Sequence, residues 1–209
     1  MSVWLKEKGE DLLANAALLL QDAKALVKES GFAPSADLIK VLVKHKLSKK
    51  SDICSSNVFR FCEFVLNQHQ GSEFYISQFN SLINFLESCN IVSNCHSFVP
   101  ENSSVLSNIK ELNTYKTGKI DFVLISAEAV TADSVVLNVT ERSMLAFAQS
   151  NAIPVYVVSS ILGIDVHSPY RQDACIRNSC FDGVISEYGF TSFDSFICSA
   201  KNSFSWLFF

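Results

Sequence analysis

Residues 122–159 open with Phe122-Val-Leu-Ile-Ser126 and close with Val155-Tyr-Val-Val-Ser159, and a helical pattern fills 141–151 between them. Two short apolar runs separated by a helix mark a βαβ unit, in which a crossover helix joins two parallel strands. Working outward, the same texture recurs at Phe74-Tyr-Ile-Ser77 and Val184-Ile-Ser186, with a weaker run at Ile91-Val92. Further helical patterns are read at about 55–69, 79–89 and 102–112. The expected fold class is therefore α/β: a short N-terminal helical segment, then a Rossmann-like, mostly parallel sheet with helices on both faces. All four main runs are expected in one sheet, apolar on both sides as a covered sheet requires. Right-handed crossovers bring the strand C-termini to one edge, where such sheets bind ligands. Ser77, Ser126, Ser159 and Ser186 would gather there with Glu128 and Glu187.

The first 50 residues read differently. Leu12, Leu13, Ala16, Leu19, Leu20, Ala23, Leu26 and Val27 recur at helical steps, so 1–30 reads as one helix ended by Ser30-Gly31. Residues 36–47 fit a helix better than a strand. This segment holds 9 Lys against 6 acids, net +3, whereas the remainder holds 8 Lys/Arg against 15 acids, net −7. The shift places a boundary near residue 50, giving an N-terminal helical segment 1–50 and an α/β domain 51–209.

Composition excludes several classes. At 48% apolar residues and a mean hydropathy of +0.21, the 209-residue chain can bury a sizeable core and is not a disordered polymer. No apolar run is long enough for a membrane helix, and the N-terminus lacks the layout of a secretion signal, so a soluble cytoplasmic protein is expected. A net charge of −4 gives no ground for nucleic-acid binding. Seven cysteines at irregular spacing fit buried thiols better than disulfides or a metal site, and no metal is expected. Neither a G-x-G-x-x-G turn nor a P-loop is present, so no nucleotide cofactor is expected. A Ser–His–acid triad would need a G-x-S-x-G elbow, which is also missing. Two surface features remain. The basic run with Lys44, Lys46, Lys49 and Lys50 suits an acidic partner or a solvated helix end. The C-terminal Ser203-Phe-Ser-Trp-Leu-Phe-Phe209 carries four large aromatics and no charge. Trp206, Phe208 and Phe209 are either a last packed element or an aromatic anchor for a partner.

The stretch Ile120-Asp-Phe-Val-Leu-Ile-Ser-Ala-Glu-Ala-Val-Thr-Ala-Asp133 resembles the D-x-V-[IL]-[VIL]-G-A-[ED] signature of two related groups. These are the regulatory subunits (alpha, beta, delta) of eukaryotic translation initiation factor 2B, and the methylthioribose-phosphate and ribose-bisphosphate isomerases. Val135-Val-Leu-Asn-Val-Thr-Glu-Arg142, Pro154-Val-Tyr-Val-Val-Ser159 and Phe181-Asp-Gly-Val-Ile-Ser-Glu-Tyr-Gly189 follow in the family's order, and Ser55–Arg60 and Glu73–Ser77 resemble its upstream motifs. The resemblance spans about residues 50–195.

The departures bear on function. Glu128 stands where the isomerases carry Asp, as in the initiation-factor subunits. The isomerases' Thr-His-Cys turn is replaced by Lys50-Ser-Asp-Ile-Cys-Ser55. In the phosphate-side turn Asn138 remains, but Val139 and Glu141 replace Lys and Gly, and Glu141 would repel a phosphate. What is left of a ligand pocket is Ser77, Ser126, Glu128, Asn138, Arg142 and Glu187. The resemblance thus implies a protein-binding module without catalytic residues, acting on translation initiation and the stress response that regulates it. Its implied partners are initiation factor 2B subunits, met through the family's domain pairing, with a homodimer as a further form. The short N-terminal part points to a viral or parasite mimic that blocks phosphorylated factor 2. The alternatives are a divergent genuine subunit and a degenerate sugar-phosphate isomerase or sensor.

Overall fold

The structure, a computed structural model, describes residues 11–30, 53–68, 70–88, 120–168, 170 and 172–208. The expected helices at 36–47 and 102–112, the run Ile91-Val92, the basic run and Phe209 lie outside the described residues.

Three helices come first: α1 (Asp11–Ser30), α2 (Ile53–Leu66) and α3 (Ser72–Ser88). On α1, Ala16, Leu20, Ala23 and Val27 form the buried stripe, at steps of four, three and four. It packs on α3 and α2, and Lys24 Nζ donates to Asn80 Oδ1 across the α1–α3 seam at 2.5 Å. The three helices form one layer that spans both sides of the boundary expected at residue 50.

Phe74-Tyr-Ile-Ser77 is not a strand; it lies inside α3. Tyr75, Phe79, Leu82, Ile83 and Leu86 are all buried, and that three-and-four spacing continues far beyond the four-residue window. A run of four apolar residues carries no period of its own, and here the longer helical stripe prevails.

The other three runs form one sheet. Its strands, in spatial order, are β1 (Val123–Ser126), β4 (Val155–Val158), β6 (Gly183–Ser186) and β7 (Gly189–Thr191). β1 pairs parallel with β4 in the register Val123↔Val155 to Ser126↔Val158, and β4 pairs parallel with β6. β7 returns antiparallel to β6 through a tight turn whose Gly189 has φ +82°, a conformation that favours glycine. The crossover from β1 to β4 contains α4 (Val139–Ser150), which packs on β1.

A second, antiparallel sheet was not foreseen. β2 (Ala129–Val130), β3 (Ser134–Val136) and β5 (Cys175–Arg177) lie in that order, each two or three residues long. The last helix, α5 (Phe193–Ser203), packs on β6.

An aromatic row crosses the main sheet. The Tyr156 ring lies 6.2 Å from Phe122 and 5.3 Å from Phe190. Gly183 makes room for it: a Cβ there would come within 2.6 Å of the Phe190 ring and 2.9 Å of the Thr191 carbonyl. The C-terminal segment packs on the helical layer at Trp206 and Phe204. Trp206 and Leu207 are buried in a short 3-10 turn, and the Trp206 ring lies 5.2 Å from Phe61 of α2. Phe204 stacks edge-on against Phe85 of α3 at 4.8 Å. One buried cluster therefore runs from α1 through the sheet to Leu207.

Candidate functional site at the sheet edge

Parallel pairing brings the C-termini of β1, β4 and β6 to one edge. There stand Ser126 and Ser186, which end their strands, and Ser159, which follows β4 and whose N–H reaches the Ile185 carbonyl at 3.1 Å. Ser186 is fully buried, and its hydroxyl accepts from the Tyr188 N–H at 3.2 Å.

Glu187 is the centre of this edge. Its carboxylate accepts from the Ile161 N–H at 3.1 and 3.0 Å through its two oxygens, and from the Ser160 hydroxyl. The residue is half-buried, but its carboxylate faces inward. Burial pushes its pKa above the usual carboxylate range, against the opposing pull of the Ser160 hydroxyl and the backbone N–H groups.

The segment 159–165 that Glu187 holds is itself unusual. It follows β4 as a loop with one turn of 3-10 helix, yet Ile161, Leu162 and Ile164 are fully buried and Asp165 nearly so. Loops run on surfaces because buried backbone must find partners. Here every N–H from Ile161 to Asp165 has one: Glu187, the Ser160 hydroxyl, the Ser160 carbonyl, the Ile161 carbonyl and the Val130 carbonyl in turn. The carbonyls of Leu162 and Ile164 accept from a single side chain, Asn57 Nδ2 of α2, at 2.9 and 2.7 Å.

Asn57 is fully buried, and its Oδ1 accepts from Arg60 at 3.1 Å. Arg60 also meets Asp165 at 3.4 Å. Asp165 further accepts from the N–H groups of His167 and Ser168 at 3.0 and 3.2 Å, and from the Tyr170 hydroxyl at 2.8 Å. Burial raises the Asp165 pKa, but hydrogen bonds from Ser168, His167 and Tyr170 outweigh it and leave the value at about 2. Burial and the neighbouring Asp165 push Tyr170 upward.

The other expected residues are placed apart from this centre. Ser77 is exposed on α3 and does not belong to the sheet edge. Glu128 is exposed at the start of the small antiparallel sheet, where its N–H donates to the Val136 carbonyl at 2.9 Å. Asn138 caps α4: its Oδ1 accepts from the N–H groups of Thr140 and Glu141 at 2.8 and 3.1 Å. Arg142 donates to the Asp173 carbonyl at 2.6 Å and lies 3.7 Å from its carboxylate. Glu141 is buried in the first turn of α4, where a negative charge suits the helix dipole. Trp206 is core, and Phe208 lies half-buried with Lys201 5.4 Å from its ring centre. Among the described residues no cluster of metal-ligating side chains occurs, and no helix is long and apolar enough to cross a membrane.

Sequence reasoning thus found Ser126, Ser159, Ser186 and Glu187 but missed Asn57, Arg60, Ser160, Asp165 and Tyr170. The available signal was Asn57 in the apolar stripe of α2, flanked by Cys54, Val58, Phe61 and Cys62. A lone amide on a buried face needs partners.

No protein-family model and no curated protein matches the sequence. The fold, however, is known from solved structures. The chain is similar to eIF2B beta from Chaetomium thermophilum, with a TM-score of 0.65 and 10% identity over 90% of this chain and 85% of that one. The tetrameric eIF2B-beta2-delta2 complex of the same organism gives a TM-score of 0.65 and 10% identity over 94% and 91%. The 5-methylthioribose 1-phosphate isomerase of Pyrococcus horikoshii gives 0.54 and 10% identity over 91% and 83%. The chain therefore has the fold shared by eIF2B regulatory subunits and this isomerase, as the sequence resemblance implied.

Proposed function

We propose that the chain is a non-catalytic, cytoplasmic protein-binding module of translation initiation that pairs with eIF2B subunits through its α/β part. The observation that carries this reading is the likeness to eIF2B beta over nine-tenths of the chain. The similar solved structure of a tetrameric eIF2B-beta2-delta2 complex supports such pairing. The chemistry of the sheet edge supports the absence of catalysis. Asn138 Oδ1 caps its own helix, and the Glu187 carboxylate accepts from Ile161 and Ser160 of its own chain. Glu128 is exposed beside β2.

Within this reading the module engages the surface that answers to phosphorylated initiation factor 2. It does so either as a mimic made by a virus or parasite or as a divergent genuine subunit. An interface of about 800 Å² per partner is within reach of a domain this size.

The test is a pull-down of eIF2B subunits, followed by a nucleotide-exchange assay inhibited by phosphorylated factor 2. Co-purification with restored exchange supports an antagonist, and co-purification with exchange unchanged supports a subunit-like role. Failure to retain any eIF2B subunit refutes the proposal.

A further inference from the structure

We propose that segment 159–165 is a strap that couples the sheet edge to helix α2, so that a change at Glu187 is felt at α2 and the reverse. The inference rests on geometry alone and is independent of which partner the protein binds. One end of the strap is fastened at the edge, by Glu187 to Ser160 and Ile161. The other end is fastened to α2, by Asn57 to the carbonyls of Leu162 and Ile164 and by Arg60 to Asp165. The two fastenings adjoin, since Ile161 is followed directly by Leu162, and Gly163 is the one position from 160 to 165 that neither of them holds. Gly163 has no space for a side chain, since a Cβ there would lie 2.7 Å from Ser159 Oγ.

A close-packed segment of this kind does not absorb a displacement at one end. It either shifts as a body or releases one of its fastenings. The two fastenings share the backbone of one 3-10 turn, in which Gly163 N–H bonds to Ser160 and Ile164 N–H to Ile161. Moving Ile161 therefore moves the Ile164 carbonyl that Asn57 holds. Coupling of this type is reciprocal in free energy. The strap also bonds to the small sheet, through Asp165 N–H and the Val130 carbonyl at 2.9 Å. The same unit thus joins both sheets to the helical layer.

The experiment is amide hydrogen exchange on the full chain, comparing the wild type with Glu187→Ala and the milder Glu187→Gln, and reciprocally with Asn57→Ala. The expected result for Glu187→Ala is faster exchange at 160–165 and, with it, at the amides of α2, by about fivefold or more. The amides of α4, which neither fastening touches, keep their wild-type rates. Asn57→Ala is expected to accelerate 160–162 in return. If Glu187→Ala does not fold, Glu187→Gln gives the same pattern at smaller amplitude. A response confined to 160–162 and 186–188, with α2 unmoved, overturns the proposal. So does a uniform acceleration across the chain, which reports only lost global stability.

Discussion

Replacing Asn57 with Leu isolates the polar fastening between α2 and the strap. The two side chains have the same branched outline and number of heavy atoms, so the change removes the amide while keeping its space filled. Two carbonyls, on residues that are fully buried, lose donors at 2.9 and 2.7 Å. A buried polar group stripped of its partner costs about 1–3 kcal/mol, so the pair costs about 4 kcal/mol at mid-range. The added apolar surface returns about 2 kcal/mol, as for a fully buried Leu. The expected net loss is about 2 kcal/mol, a large part of the stability of a domain this size. Asn57→Asp is expected to be worse at neutral pH. It sets a carboxylate against two carbonyl oxygens, and the half-exposed Arg60 offsets only part of that repulsion. Urea unfolding followed by circular dichroism reads both variants, with an unchanged slope required for the comparison. If Asn57→Leu stays within about 0.5 kcal/mol of wild type, or Asn57→Asp is the more stable of the two, the carbonyls do not depend on this amide and the reasoning fails.

Four further outcomes are expected. Glu187 has a folded pKa above its unfolded value, so its contribution is fully present below the unfolded pKa and is lost as pH rises through the folded one. The stability deficit of Glu187→Gln against wild type should therefore shrink as pH rises from acid to neutral in parallel melts; a constant difference across that range contradicts the assignment. Gly183→Ala should lose about 1–3 kcal/mol, because the new methyl meets the Phe190 ring and the Thr191 carbonyl; chemical denaturation checks this. Trp206→Ala should cost about 3–5 kcal/mol as a core truncation, and loss of binding with unchanged stability would instead mark an anchor. Incubation with methylthioribose 1-phosphate or ribose 1,5-bisphosphate should yield no isomer, and product formation abolished by Glu128→Gln would reverse the non-catalytic reading.

The parallel core was readable because Val123–Ser126, Val155–Val158 and Gly183–Ser186 are continuous apolar runs whose lengths match strands. Their common edge followed from crossover handedness, and it placed Ser126, Ser159, Ser186 and Glu187 correctly. The reading failed where local chemistry is ambiguous. Phe74–Ser77 has the composition of a strand and the wider period of a helix, and only the stripe from Tyr75 to Leu86 decides between them. The small sheet was invisible because its strands are two or three residues long. They depend on partners such as Val135↔Ile176, more than 40 residues apart in sequence. Asn138 shows a different limit. Its place in a motif suggested a ligand contact, while its position before Val139 makes it a helix cap by ordinary side-chain chemistry. Asn57 and Asp165 lie 108 positions apart, and nothing in either neighbourhood announces that Arg60 meets them both.

The buried strap also bears on how a sequence of this fold is free to drift. Connections between strands ordinarily accept length polymorphism, because an added residue bulges into water. The connection at Gly71, between α2 and α3, is as permissive, with nothing within 4 Å of the space a side chain would occupy. Between Ser159 and Asp165 an added residue would throw the Asn57 and Glu187 fastenings out of phase at once. Descendants of this chain should therefore conserve the spacing of those seven positions more strictly than the identities of many core side chains.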